Sequence, residues 1–69
     1  MTLSQRVALI LSSDTGTNLQ DWERSRLRVW ASLDEAGYHY KPRIVADRIG
    51  MRLFGRDTWV AMVGVVHER

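Results

Sequence analysis

At 69 residues the chain, read as a single domain over 1–69, has room for one small core, which rarely supplies more than about 3–5 kcal/mol unaided. It contains no cysteine, which excludes disulfide staples and thiolate metal sites and points to a reducing compartment. Net charge is only +2, but nine of the ten basic residues are arginine, whose planar forked donors suit carboxylates and phosphates. A coding sequence rich in G and C accounts for the preference itself, so the placement of the arginines carries the information.

Residues 2–12 read as a first helix. Thr2 and Gln5 have the spacing of a capping box, and Leu3, Val7, Ile10 and Leu11 form a stripe. The run Arg6-Val7-Ala8-Leu9-Ile10-Leu11 also fits a short strand; the cap favours helix. With one early arginine, a short apolar run and no small-residue cleavage pattern, this start is not expected to act as a signal peptide. Ser12 to Gly16 is a turn of small polar residues ending in glycine. Its Ser-Asp pair has no histidine near it in sequence, so loop and cap duties outweigh nucleophilic catalysis.

Thr17 to Gly37 is the longest helix signal, and the rest of the chain is expected to pack around it. Thr17 and Gln20 suggest a capping box. Gly37 fits a left-handed ending, with Tyr38 reaching back to Leu33. Leu19, Trp22, Val29, Trp30, Leu33 and Ala36 share one side. Arg26 falls near the middle of that side, with Glu23 its natural partner at i,i+3. Either its methylenes cover the tryptophans while its head reaches water, or it meets a partner chain. Arg24, Arg28, Asp21 and Glu35 read as an ordinary solvated face.

Tyr38-His39-Tyr40-Lys41 is a connector, with Lys41 pushed towards extended geometry by Pro42. Aromatics mixed with positive charge can stack bases and hold phosphates, or close one end of a small core. Residues 42–54 read as a helix opened by Pro42, with Val45, Ala46, Ile49 and Leu53 inward. Arg48 and Arg52, at i,i+4, project together. With Arg43 nearby and Arg56 in the turn Gly55-Arg56-Asp57, this is the most basic part of the chain.

Within it, Ile44-Val45-Ala46-Asp47-Arg48-Ile49-Gly50-Met51 resembles the second helix and turn of helix-turn-helix domains, where A-x-x-[LI]-G-[apolar] is common. The resemblance covers about eight residues and implies that the next helix would be a recognition helix in the major groove. Thr58 to Val66 departs from that pattern: it offers one hydroxyl and no amide or charge for base edges.

Asp57 is a good N-cap for this last element. As a helix it turns Trp59, Met62, Val63 and Val66 inward, leaving Val60, Ala61, Gly64 and Val65 as an outer face that is also apolar. An element apolar all round wants cover on both sides, so that outer face is a candidate protein interface. Its valines also allow a strand, paired with Met51–Phe54 across Gly-Arg-Asp.

His39 and His67 stand far apart, no metal-ligand spacing or glycine-rich phosphate loop is present, and Asp34 and Glu35 diverge on a helix. No catalytic, cofactor or metal site is expected. The longest apolar run, Trp59 to Val66, is far short of the roughly 20 residues that span a bilayer, so no membrane is expected and the reading is cytoplasmic.

The fold expected is all-α, a bundle of three or four short helices; the alternative is α+β with 51–66 as a β-hairpin. The function expected is non-enzymatic binding that regulates or inhibits a larger protein, or an adaptor role, through Arg26, Lys41, Arg43, Arg48, Arg52 and Arg56 and the apolar face Val60, Ala61, Gly64 and Val65. Its partner would carry an acidic surface, with a second copy of the chain another candidate. The competing expectation is a small helix-turn-helix-like DNA-binding regulator that uses the same cations on phosphates.

Overall fold

The computed structural model describes residues 1–33 and 40–66. They form four helices: α1 (Leu3–Ser12), α2 (Asp21–Trp30), α3 (Tyr40–Phe54) and α4 (Arg56–Val63). The fold is a small all-α bundle, and no strand occurs among the described residues. The hairpin alternative over 51–66 therefore does not hold. Burial follows the helical period there: Trp59 and Val63 are buried while Ala61 and Val65, which a strand would turn the same way, are exposed.

Helix α3 packs against both α1 and α4. Helix α1 packs against both α2 and α3. Its start is the expected capping box: Gln5 N–H donates to Thr2 Oγ1 (3.1 Å) and Thr2 N–H to Gln5 Oε1 (2.9 Å). Leu3, Val7 and Ile10 are completely buried, each worth about 1.5–3 kcal/mol of apolar transfer. The stretch from Thr17 to Gly37 is not the organiser. Among its described residues the helix is α2, which buries little beyond Leu27 and Glu23.

The inner side of α2 is also turned by about one residue from the side the tryptophans suggest. It is set by Glu23 and Leu27, with Trp30 half-buried beside them and Leu19 buried just before the helix. Trp22 and Val29 point outward, 55% and 57% exposed. The capping box that starts α2 is Gln20 with Glu23 rather than Thr17 with Gln20. The expected ending at Gly37 and Tyr38, the inward Ala36, and the connector residues Tyr38 and His39 lie outside the described residues.

Helix α3 starts two residues earlier than expected, so Lys41 is helical and Pro42 sits in the first turn, where a missing N–H costs nothing. Ala46 and Ile49 are buried, with Val45 and Leu53 half-buried against the core. Gly50 is interior to α3, and the reason it is glycine is contact: a Cβ there would fall 2.3 Å from Trp59 Cε2. Trp59 lies against this bare backbone and stacks on Phe54 at a centroid distance of 5.7 Å. Gly55 alone joins α3 to α4 and is the N-cap residue. Asp57, expected in that role, is instead in the first turn, where its charge still favours the helix dipole. Helix α4 stops at Gly64, whose φ of 87° is left-handed geometry that a side chain resists.

Among the described residues no helix is long and apolar enough to cross a membrane.

Candidate functional site

Three polar ties hold these helices in register, and together they decide which charges face outward. The deepest joins α1, α3 and α4. Asp47 is fully buried; its Oδ1 accepts from Arg6 Nη1 at 2.6 Å and from Trp59 Nε1 at 3.0 Å. Arg6, itself 3% exposed, also donates through Nε to the Met1 carbonyl at 3.1 Å. A buried indole N–H and a buried guanidinium both need acceptors, and one carboxylate serves both.

The second tie joins α2 to α3. Glu23, 3% exposed, receives Arg52 in a fork: Nη1 to Oε2 at 2.7 Å and Nη2 to Oε1 at 2.8 Å. The same Oε1 accepts the Gln20 N–H at 2.9 Å, so this carboxylate both caps α2 and anchors it. The hydrogen bonds from Arg52, helped by the Gln20 N–H, hold the Glu23 carboxyl below its ordinary range against the opposing effect of burial. The guanidinium of Arg52 is correspondingly pushed up.

The third tie organises the loop between α1 and α2. Arg24 reaches Asp14 through Nε to Oδ2 (2.5 Å) and Nη2 to Oδ1 (3.1 Å), and Asp14 Oδ1 also accepts the Gly16 N–H at 2.9 Å. Asp14 is lowered to about 2, first by the Arg24 hydrogen bond and then by that backbone N–H. Arg24 is thus half-buried structural material, and not part of a plain solvated face.

Between α2 and α3 the surface opens into a groove of about 420 Å³ lined by Trp22, Glu23, Val45, Arg48, Ile49 and Arg52. Its floor is the apolar pair Val45 and Ile49 with the Glu23–Arg52 fork beside them. Trp22 forms one wall, its indole Nε1 fixed by a 2.7 Å hydrogen bond to Gln20 Oε1. Arg48, exposed, and the outer half of Arg52 form the other. Two of the three carboxylates on α2 and α3 are engaged inside the fold, Glu23 by Arg52 and Asp47 by Arg6; the third, Asp21, meets Arg24 at the surface with its side chain fully exposed. The groove walls are therefore aromatic, apolar and cationic.

The arginines singled out by sequence are distributed unequally around it. Arg48 and Arg52 line the groove, and Lys41 falls on the same stripe of α3, at the i, i+7, i+11 spacing that repeats on one helix face; it is exposed. Arg26 is exposed on α2, one turn beyond Trp22. It does not pair with Glu23, which faces the core and is held by Arg52. Arg43 is half-buried on the far side of α3, and Arg56 sits at the start of α4, with Nη1 3.6 Å from Met51 Sδ. On α4, Ala61 is exposed and Val60 half-buried, with Trp59 and Val63 buried; Gly64 and Val65, expected on the same helix face, lie past the end of the helix and are exposed.

Sequence reading missed Trp22 as a surface residue and Glu23, Asp47 and Arg6 as buried ones. Arg6 had a signal: it falls inside the stripe Leu3, Val7, Ile10, where a charge needs a buried partner. Comparison with known proteins gives no relative to set beside this site: no protein family, curated protein or solved structure matches the chain.

Proposed function

We propose that the chain is a non-enzymatic cytoplasmic binding module that regulates or inhibits a larger protein by docking the α2–α3 surface on an acidic partner. The observation that carries this reading is the asymmetry of charge on those two helices. Glu23 and Asp47 are buried in ion pairs and Asp21 is exposed against Arg24, while the side chains of Arg26, Lys41 and Arg48 are exposed on the same two helices as the exposed Trp22. Arginine and tryptophan are the side chains most enriched at interface hot spots, and cations on a rim steer an acidic partner into place. Ala61 on α4 and Val65 just past it, 73% exposed, offer a second apolar contact, open to the same partner or to a second copy.

The test uses the full chain with a photo-crosslinking residue in place of Arg48. Crosslinked partners are identified by mass spectrometry, purified and titrated against the wild type and against Arg26→Glu/Arg48→Glu. An acidic partner bound by the wild type and lost on charge reversal supports the reading. Partners bound equally by both proteins overturn it.

Phosphate-directed binding of duplex DNA would draw on the same cations. The helix-turn-helix resemblance lends it little. The residues implied to be a helix and its turn run without a break through α3, Gly50 is buried against Trp59, and one residue separates α3 from α4. Gel shifts at two salt concentrations decide it, since phosphate binding weakens steeply as salt rises. A retarded band at low salt, weakened by Arg48→Ala, would favour this second reading.

A further inference from the structure

A single residue, Gly55, turns the chain from α3 into α4. Its φ of 86° and ψ of 150° lie in a region open in practice only to glycine. A Cβ there would meet nothing within 4 Å. Gly50 is glycine because Trp59 leaves no room for a side chain; Gly55 is glycine for its backbone alone. Its N–H and its carbonyl both make helical hydrogen bonds already. The N–H donates to the Met51 carbonyl at 2.9 Å, and the carbonyl accepts the Trp59 N–H at 2.9 Å. Rotating φ and ψ of this one residue to helical values therefore carries the hydrogen-bond ladder of α3 straight into α4. The last carbonyls of α3 and the first N–H groups of α4, which a helix end cannot satisfy within itself, then bond one another. What the straightened chain gives up is the packing of α4 on α3. The anchor of that packing is Trp59. It is seated on α3 by the bare backbone of Gly50, by the Phe54 ring stacked at 5.7 Å, and by Asp47 Oδ1, which accepts the indole N–H at 3.0 Å. Two straightened copies can each lay α4 on the other's α3 and remake these same contacts. The occupant of the vacated α3 face is thus identified by the face itself: it fits α4, and a second copy of the chain brings one.

We propose that Gly55 is a hinge through which two copies exchange α4, with residues 40–63 of each running as one helix and each α4 covering the α3 of the other copy. Exchange costs the freedom of two separate chains and gains helical hydrogen bonds at both junctions. The closed monomer is favoured at low concentration, because one residue tethers α4 beside its own α3. The exchanged pair gains as concentration rises. No residue of α4 lines the groove between α2 and α3, so the exchanged pair carries that surface twice and would hold a two-site target more tightly than one copy does.

The test is Gly55→Ala in the full chain. Alanine resists the closed turn and favours the straight helix, so the dimerisation constant should rise about tenfold or more per chain and about a hundredfold per pair. Light scattering over a range of concentrations reads the mass of wild type and variant. Circular dichroism reads helix content, and emission reads Trp59 in a Trp22→Phe/Trp30→Phe background. The expected result is a dimeric Gly55→Ala protein with undiminished helix and Trp59 still buried. Val65→Glu added to it should leave the dimer intact, because that side chain is 73% exposed and lies past the end of α4. A second chain, with a short glycine–serine insertion after Gly55, lets α4 fold back without strain and breaks the long helix. It should stay monomeric at every concentration. A Gly55→Ala protein that stays monomeric, folded or not, overturns the proposal. So does a dimer in which Trp59 emits as an exposed indole, since α4 is then unpacked. A dimer that Val65→Glu dissociates overturns it too, since the copies then meet through the exposed end of α4, and so does an insertion chain that dimerises as readily as Gly55→Ala.

Discussion

Glu23 is the residue whose removal tests most of this structure at once. It is buried, it caps α2, and it is the only ion-pair partner that α2 offers to α3 among the described residues. In Glu23→Gln the volume and one acceptor oxygen remain, so the cap at Gln20 can persist. What is lost is a pair of charge-assisted bonds to Arg52, replaced at best by one neutral bond. Charged hydrogen bonds are worth about 1.5–3 kcal/mol and neutral ones about 0.5–1.5. Arg52 is 48% exposed and regains water, which discounts the loss to about 1–2 kcal/mol. Arg52→Ala should cost more, about 2–3 kcal/mol, because the carboxylate it abandons is the buried partner. For so small a domain, each kcal/mol moves Tm by roughly 4–8 °C. Thermal and urea denaturation by circular dichroism, run as a double-mutant cycle, should give a coupling energy above about 1 kcal/mol. The pH dependence has a definite sign. Glu23 is lowered in the fold from 4.5, so the unfolded chain binds the extra proton. The stabilisation is complete above about 4.5 and fades as pH falls through the lower folded value. Asp14, lowered from 3.8 to about 2, acts in the same direction and extends the loss towards pH 2. An Arg52→Ala protein as stable as wild type, or two substitutions that simply add, would refute the account of this tie.

Three further substitutions probe the remaining contacts. Gly50→Ala would gain about 1 kcal/mol in an exposed helix, but here the new methyl meets Trp59 at 2.3 Å, so the protein should lose about 1–3 kcal/mol or more, read by urea denaturation followed through tryptophan emission; a stabilised variant would show that Trp59 does not lie there. Asp47→Asn leaves the buried Arg6 without its counter-charge and should destabilise by about 3–5 kcal/mol, enough to unfold much of the population at room temperature. On α4, Val65→Glu alters a side chain that is 73% exposed and should leave stability within about 0.5 kcal/mol; if the outer face joins two copies, light scattering should show the wild-type mass halved in this variant, whereas Gly64, held at φ 87°, is a poorer probe because any side chain there strains the backbone.

The parts of the fold legible in the sequence are those with local causes. The capping box of α1 and its stripe of Leu3, Val7 and Ile10 depend only on residues three to seven apart, and both are present. The same holds for the inward set Trp59, Met62, Val63 and Val66, of which Trp59 and Val63 are buried and Met62 and Val66 half-buried. The side that α2 buries was not legible, because its inward residue Glu23 has its partner, Arg52, on another helix 29 residues away, where no local pattern reveals it. Trp22, Val29 and Trp30 carry most of the apolar area, so a pattern reading turns them inward. Yet Glu23 faces the core, because Arg52 on another helix makes its burial affordable, and the indole of Trp22 rotates out as a consequence. Asp47 is the same case in α3: nothing within its own helix predicts a buried acid, whereas Arg6 and the Trp59 indole together require one.

That displacement is also what creates the groove. Had α2 buried Trp22 and Trp30 as its amphipathic pattern suggests, the space above Val45 and Ile49 would be filled by tryptophan and the arginines would surround a closed core. Burying Glu23 instead leaves the indole as a wall and the apolar floor open. A salt bridge across this floor does little for net stability compared with a hydrophobic pair of the same size. The choice of Glu23 and Arg52 over two aliphatic residues thus has its clearest physical consequence at the surface. It fixes α2 in an orientation that keeps Trp22 outside, neutralises the only acid in the groove, and leaves the cationic rim facing whatever approaches.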